Sequence, residues 1–151
     1  MKNRVASIIA TACFFVPCHV FAEPTSTEKY SDSELVQILK DEGYSSVEAL
    51  ASLGVLVKID GNAYLLVNLP SGDLQAYYVV TGANVSHADM NEWNRTKRLS
   101  RAYLDSDEDP VLESDLLANA GLTESHVTEF FRVFKDSAAI FRDFIIEHHD
   151  N

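Results

Sequence analysis

Between Glu124 and His148 apolar side chains recur at alternating four- and three-residue steps: Val127, Phe131, Phe134, Ala138, Phe141, Ile145 and then His148, flanked by Phe130 and Phe144. This spacing returns to one side of an α-helix at every turn, so it predicts a single helix with one continuous apolar face. Gly121 and Thr123 introduce it, with Thr123 as the N-cap. Such a helix would be roughly 36 Å long, enough to cross a whole sheet. Every phenylalanine beyond residue 22 lies on it. A face of that size and aromatic content needs a broad apolar surface opposite, so the helix is expected to be the main lid of the core.

The surface opposite is predicted to be antiparallel. Val55, Val57 and Ile59 alternate, Asp60-Gly61 is a favoured two-residue hairpin turn, and Leu65, Val67 and Leu69 continue on the returning strand. Pro70-Ser71-Gly72-Asp73 makes the next turn, and Leu74 to Thr81 supplies a third strand rich in Tyr and Val. Tyr44 to Ser52 reads as a further strand. Leu99, Arg101 and Tyr103 alternate, as do Leu112, Ser114 and Leu116, with an acidic turn between them, which makes a second hairpin. Two more helices are expected. Ser31-Asp32-Ser33-Glu34 is a capping box leading into Leu35, Val36, Ile38 and Leu39, with Gly43 as the stop; Ala88 to Lys97 carries Met90, Trp93 and Lys97 at helical spacing. The expected class is α+β: an antiparallel sheet of about five to six strands with N-terminal, middle and long C-terminal helices covering one side.

The first residues read as an export leader. Lys2 and Arg4 precede the apolar run Val5 to Val16, and Val20-Phe21-Ala22 places small residues at the positions a signal peptidase reads. Cleavage after Ala22 is expected, giving a periplasmic or secreted bacterial protein with no stable membrane insertion. Residues 23–30 read as a flexible polar lead-in and 31–151 as one domain. Both cysteines, Cys13 and Cys18, lie in the leader, so the remaining chain has no thiol for a disulfide, a zinc site or a nucleophile. Cleavage removes two cations and no acid, taking the formal charge from −11 to −13. A field of that sign repels nucleic acid and anionic lipid and favours cationic partners or divalent ions.

Three segments resemble a known family: Asn91-Glu92-Trp93-Asn94-Arg95, Arg101-Ala102-Tyr103-Leu104-Asp105, and Asp109-Pro110-Val111-Leu112-Glu113-Ser114-Asp115. In this order and spacing they resemble the YbjN family, described in terms of bacterial sensory transduction regulation, with a fold like that of type III secretion chaperones. The resemblance implies a chaperone-like α+β domain that binds a protein or peptide, forms homodimers as such chaperones do, and catalyses nothing. Family members often have Gly in the acidic turn where this chain has Glu108.

The candidate site residues follow from these readings. Arg95, Arg98 and Arg101, with Lys97, sit just before the acidic turn; cross-strand ion pairing is favoured over a docking patch for a partner's carboxylates. Trp93 reads as core more readily than as a recognition anchor, although tryptophan is common at binding hot spots. Tyr77, with Tyr64 and Val79, is a candidate for an open sheet face. Asp105, Asp107 and Asp109 place carboxylates at every second position, as a calcium loop would, and carry the alternative reading of a divalent-cation sensor. Pro110 and Leu116 stand where an EF-hand needs Gly and a bidentate acid, so a solvated hairpin turn is favoured. No cofactor is expected. Enzyme motifs such as Gly-x-Ser-x-Gly, a phosphate-cradling Gly-rich loop or His-Glu-x-x-His are missing from the sequence.

Overall fold

The computed structural model describes residues 25–51 and 54–149. In chain order its elements are α1 (Asp32–Asp41), β1 (Ser46–Leu50), β2 (Gly54–Ile59), β3 (Asn62–Asn68), β4 (Leu74–Val79), α2 (His87–Thr96), β5 (Arg101–Leu104), β6 (Pro110–Leu116) and α3 (Glu124–His148). The strands form one sheet in the order β1-β2-β3-β4-β6-β5, every neighbour antiparallel. Each of the three helices starts at a reciprocal cap, Ser31 with Glu34, Ser86 with Asp89, and Thr123 with His126. These caps satisfy amides that the first helical turn cannot reach. The expected leader lies outside the described residues.

Register is set by the tightest turn. Asp60 and Gly61 both take positive φ, 49° and 80°, the geometry of a two-residue hairpin whose twist matches its strands. Ile59 therefore pairs with Asn62, Val57 with Tyr64 and Val55 with Leu66. Paired residues share a face, so Tyr64 and Leu66 are buried while Leu65 and Val67 stand on the other side, half exposed. Of the alternating set Leu65, Val67 and Leu69, Leu65 and Val67 thus face away from the core, which takes Tyr64 and Leu66. Tyr64 likewise leaves the open face: it stacks on Tyr78 at 5.3 Å and meets Phe131 edge-on at 5.9 Å.

The core lies between the sheet and α3. Val127, Phe131, Phe134, Ala138, Phe141 and Ile145 are all buried along one side of that helix. Phe131 packs edge-on against Tyr44 near α1, and Phe141 against Trp93 of α2, both at 5.0 Å. The long helix thus bridges the two shorter ones, and each buried phenylalanine contributes about 1.5–3 kcal/mol of transfer free energy.

The lead-in is not free. Thr27 and Leu122 exchange two backbone hydrogen bonds of 2.9 and 2.8 Å, and buried Tyr30 donates to the Leu122 carbonyl at 3.2 Å. Gly72, at φ 92°, lies so close to Glu28 that a Cβ there would come within 2.2 Å of its carbonyl oxygen. Residues 27–30 are therefore tied to the body by these contacts. Asp73 makes a second tie, accepting the Ala118 amide at 2.7 Å and the Ser71 hydroxyl at 2.8 Å.

Candidate protein-binding face

Because the helices cover one face, the opposite face of the sheet is left to solvent, and the register identifies what it carries. Leu56 pairs with Leu65, Leu65 with Tyr77, Tyr77 with Glu113 and Glu113 with Arg101, a row crossing five strands. Beside it run Val79, Val111 and Tyr103. Leu56, Leu65 and Tyr77 are half-buried, while Val79 and Tyr103 are 41% and 37% exposed. A shallow cavity of about 450 Å³ opens over this face, bordered by Leu56, Ala63, Leu65, Tyr77 and Val79. Of the three residues proposed for the open face, Tyr77 and Val79 are on it.

The row is interrupted by one buried charge. Glu113 is 4% exposed, and its carboxylate is paired with the Arg101 guanidinium directly across the strands. Gln75 donates to Asp115 at 2.7 Å and, more distantly, to Glu113 at 3.4 Å, while Tyr77 donates to the Gln75 amide oxygen at 3.1 Å. Burial first, and then the negative charge of Glu113, pushes the Tyr77 and Tyr103 phenols above the ordinary tyrosine range. Both hydroxyls thus remain protonated donors beside a fixed anion. Glu113, Gln75, Leu56 and Leu65 were not singled out from the sequence. The available signal was Ala63-Tyr64-Leu65-Leu66-Val67, where an apolar run replaces the alternation of a strand with one wet face.

The basic cluster divides. Arg101 is bound to Glu113 of β6, so cross-strand pairing holds for it, but with a strand residue and not with the acidic turn. Among the described residues Arg95 pairs with Glu92 on its own helix, at 3.6 Å, Lys97 lies 5.7 Å over the Trp93 ring, and Arg98 is exposed. These cations do not converge on one patch. Trp93 is 1% exposed, enclosed by Phe141 and Phe144 at 5.0 and 5.6 Å, so it gives no surface to a partner and belongs to the core.

Asn94, next to Trp93, has a distinct task. Its side-chain amide donates to the Ala102 carbonyl at 2.9 Å and accepts the Ala102 amide at 2.8 Å. β5 is an edge strand, and this amide covers its outward backbone pair as a neighbouring strand would.

The acidic turn is organised by its own backbone. Asp105 Oδ1 accepts the amides of Asp107 and Asp109 at 2.9 and 3.0 Å, and Asp109 Oδ1 accepts the Gly82 amide at 2.7 Å. Glu108 takes φ 63°, the left-handed conformation that glycine adopts without cost. Among the described residues no group of three or more His, Asp or Glu side chains is gathered to hold a metal ion. The geometry gives Asp105 and Asp109 the role of shaping the hairpin.

The solved structure of the Yersinia pestis type III secretion chaperone SycH, in complex with a stable fragment of YscM2, is similar with a TM-score of 0.54 and 21% identity. The similarity covers 73% of this chain and 98% of that one, and at this identity it shows the fold. No curated protein matches the chain. A family model described as "Putative bacterial sensory transduction regulator" matches residues 31–147, and on that match the chain belongs to the YbjN family.

Proposed function

We propose that this protein is a non-enzymatic, periplasmic or secreted module that binds a protein or peptide through the open face of its sheet. One observation carries the reading: the row Leu56, Leu65 and Tyr77, with Val79 and Tyr103, crosses a sheet that has helices on the other face. Apolar groups left partly wet gain free energy when a partner covers them, at about 25 cal/mol per Å² removed from water. The family's regulatory description and a fold shared with a chaperone solved on a fragment of another protein support the same reading.

The test is a photo-crosslinking residue placed singly at Leu65, Val79 and Gln37 in cells that make the full chain. Gln37 is exposed on α1, on the helical side. Discrete protein adducts from the first two positions and none from the third are expected. Adducts from all three alike, or from Gln37 alone, would remove the face from consideration. Export is read separately, by sequencing the N-terminus of the protein recovered from the periplasm, where Glu23 is the expected first residue.

A further inference from the structure

The second hairpin is uneven: β5 has four residues and β6 seven, so Ser114, Asp115 and Leu116 have no strand beside them on the β5 side. The chain entering β5 lies there instead, and two side chains hold it. Ser114 donates to the Leu99 carbonyl at 2.6 Å, and the Ser100 hydroxyl meets that of Ser137 on α3 at 3.1 Å. Leu99 is thereby kept at φ 68°, a conformation costly for a branched side chain, with 72% of its surface exposed. A large apolar residue held both strained and wet requires an explanation, and the space behind it supplies one.

Between β6 and α3 a cavity of about 340 Å³ opens beside Leu99, walled by Leu116, Phe130, Val133 and Phe134. A second, shallower cavity of about 260 Å³ continues past Leu99 along Ser114 and Asp115 toward Arg101 and Glu113. The two share Leu99, Ser114 and Asp115 and so form one trough across the end of β5. Its charge is acidic. Glu129 is engaged by Arg132 and Glu113 by Arg101, while Asp115 accepts from Gln75 and also feels the Arg101 charge, so the lining carries three carboxylates, one guanidinium and His126. An apolar slot with an anion on its rim, on a chain of formal charge −11, complements an apolar side chain flanked by a cation.

We propose that this trough recognises an extended polypeptide segment of a partner that presents a large apolar side chain next to a lysine or arginine. The apolar group enters between Leu116, Phe130 and Val133, beneath Leu99, and the cation reaches Asp115. The site lies where β6 faces α3 and wraps past Leu99 to the Arg101–Glu113 end of the open-face row, but it does not include Leu56, Leu65, Tyr77 or Val79.

The test is a titration of the isotopically labelled protein with the peptide Gly-Lys-Phe-Lys-Gly, followed by amide resonances. Saturable shifts at Leu99, Leu116 and Val133 are expected. Exchanging both lysines for glutamate should weaken binding about tenfold, and exchanging the phenylalanine for alanine should weaken it as much. Asp115→Asn should weaken the lysine peptide about threefold and should not weaken the glutamate peptide. Val133→Asp should abolish both, and Asp115→Asn, a substitution on an exposed residue, keeps the question open to measurement if that variant fails to fold. Absence of saturable shifts at millimolar peptide, or equal binding of the glutamate peptide, overturns the proposal. So does movement of the same resonances with protein concentration alone, which would assign the trough to a second copy. Peptide shifts retained alongside failed crosslinks at Leu65 and Val79 would remove the open-face reading and leave this one standing.

Discussion

Arg98 and Arg101 are three positions apart in a cationic stretch, and the structure gives them unequal weight. Arg101 neutralises Glu113, whose carboxylate is withdrawn from water, so Arg101→Glu would set two anions side by side. A loss of about 2–4 kcal/mol is expected in urea unfolding, moderated because the guanidinium itself is largely exposed. Arg98→Glu should stay within about 0.5 kcal/mol of the parent, as exposed substitutions away from such pairs do. The opposition of charges was legible in the sequence, but the partner was not. Asp105 to Asp109 are nearer along the chain, yet they lie beyond the ends of the strands, and only the register places Glu113 opposite Arg101. Glu108 was legible in the same partial way, as a residue standing where the family resemblance leads one to expect glycine. Its positive φ makes a specific expectation: Glu108→Gly should raise stability by about 0.5–1 kcal/mol, read as a higher denaturation midpoint at unchanged slope.

At the scale of elements, α2 and β5 are joined through one side chain. Asn94→Ala would uncover the amide and carbonyl of Ala102 on an edge strand, and about 1–2 kcal/mol of stability should be lost. The same variant should exchange the Ala102 amide with deuterium faster than the parent, which a general loosening confined to other elements would not do. The apolar spacing places Asn94 within the helix expected over Ala88 to Lys97 but says nothing of its amide. That the amide serves a strand depends on how α2 returns across the sheet edge, which local spacing does not contain. Helices were the most legible elements, since caps and apolar stripes are encoded within a few residues, as at Thr123 and Phe131. Strand faces were less so. In β3 both parities are apolar, and the choice of Tyr64 and Leu66 over Leu65 and Val67 was made by the Asp60-Gly61 turn.

For the whole molecule, acid should be the effective denaturant. Asp73 is held below the ordinary aspartate value by the Ala118 amide and then the Ser71 hydroxyl, Glu34 by the Ser31 amide and hydroxyl, Asp89 by the Ser86 hydroxyl and amide, and Glu129 by Arg132. A carboxyl with a depressed folded pKa stabilises fully above its unfolded value and loses that contribution as pH falls through the folded one. The decline should therefore begin below the unperturbed values of 3.8 and 4.5 for these groups, and Asp73→Asn should flatten part of it in melts recorded down the acid range. These groups are at the surface, so added salt should shrink the effect. The stoppered edge at β5 has one further consequence, for the form any self-association takes. β1 is the other end of the sheet, and among the described residues no side-chain amide covers it. Growth into a fibre needs two adhesive edges, whereas one edge meeting its own copy closes on itself about a two-fold axis and stops. Strand-to-strand pairing of this chain should end at two copies in sedimentation experiments, and Asn94→Ala should be the substitution that lets it run on.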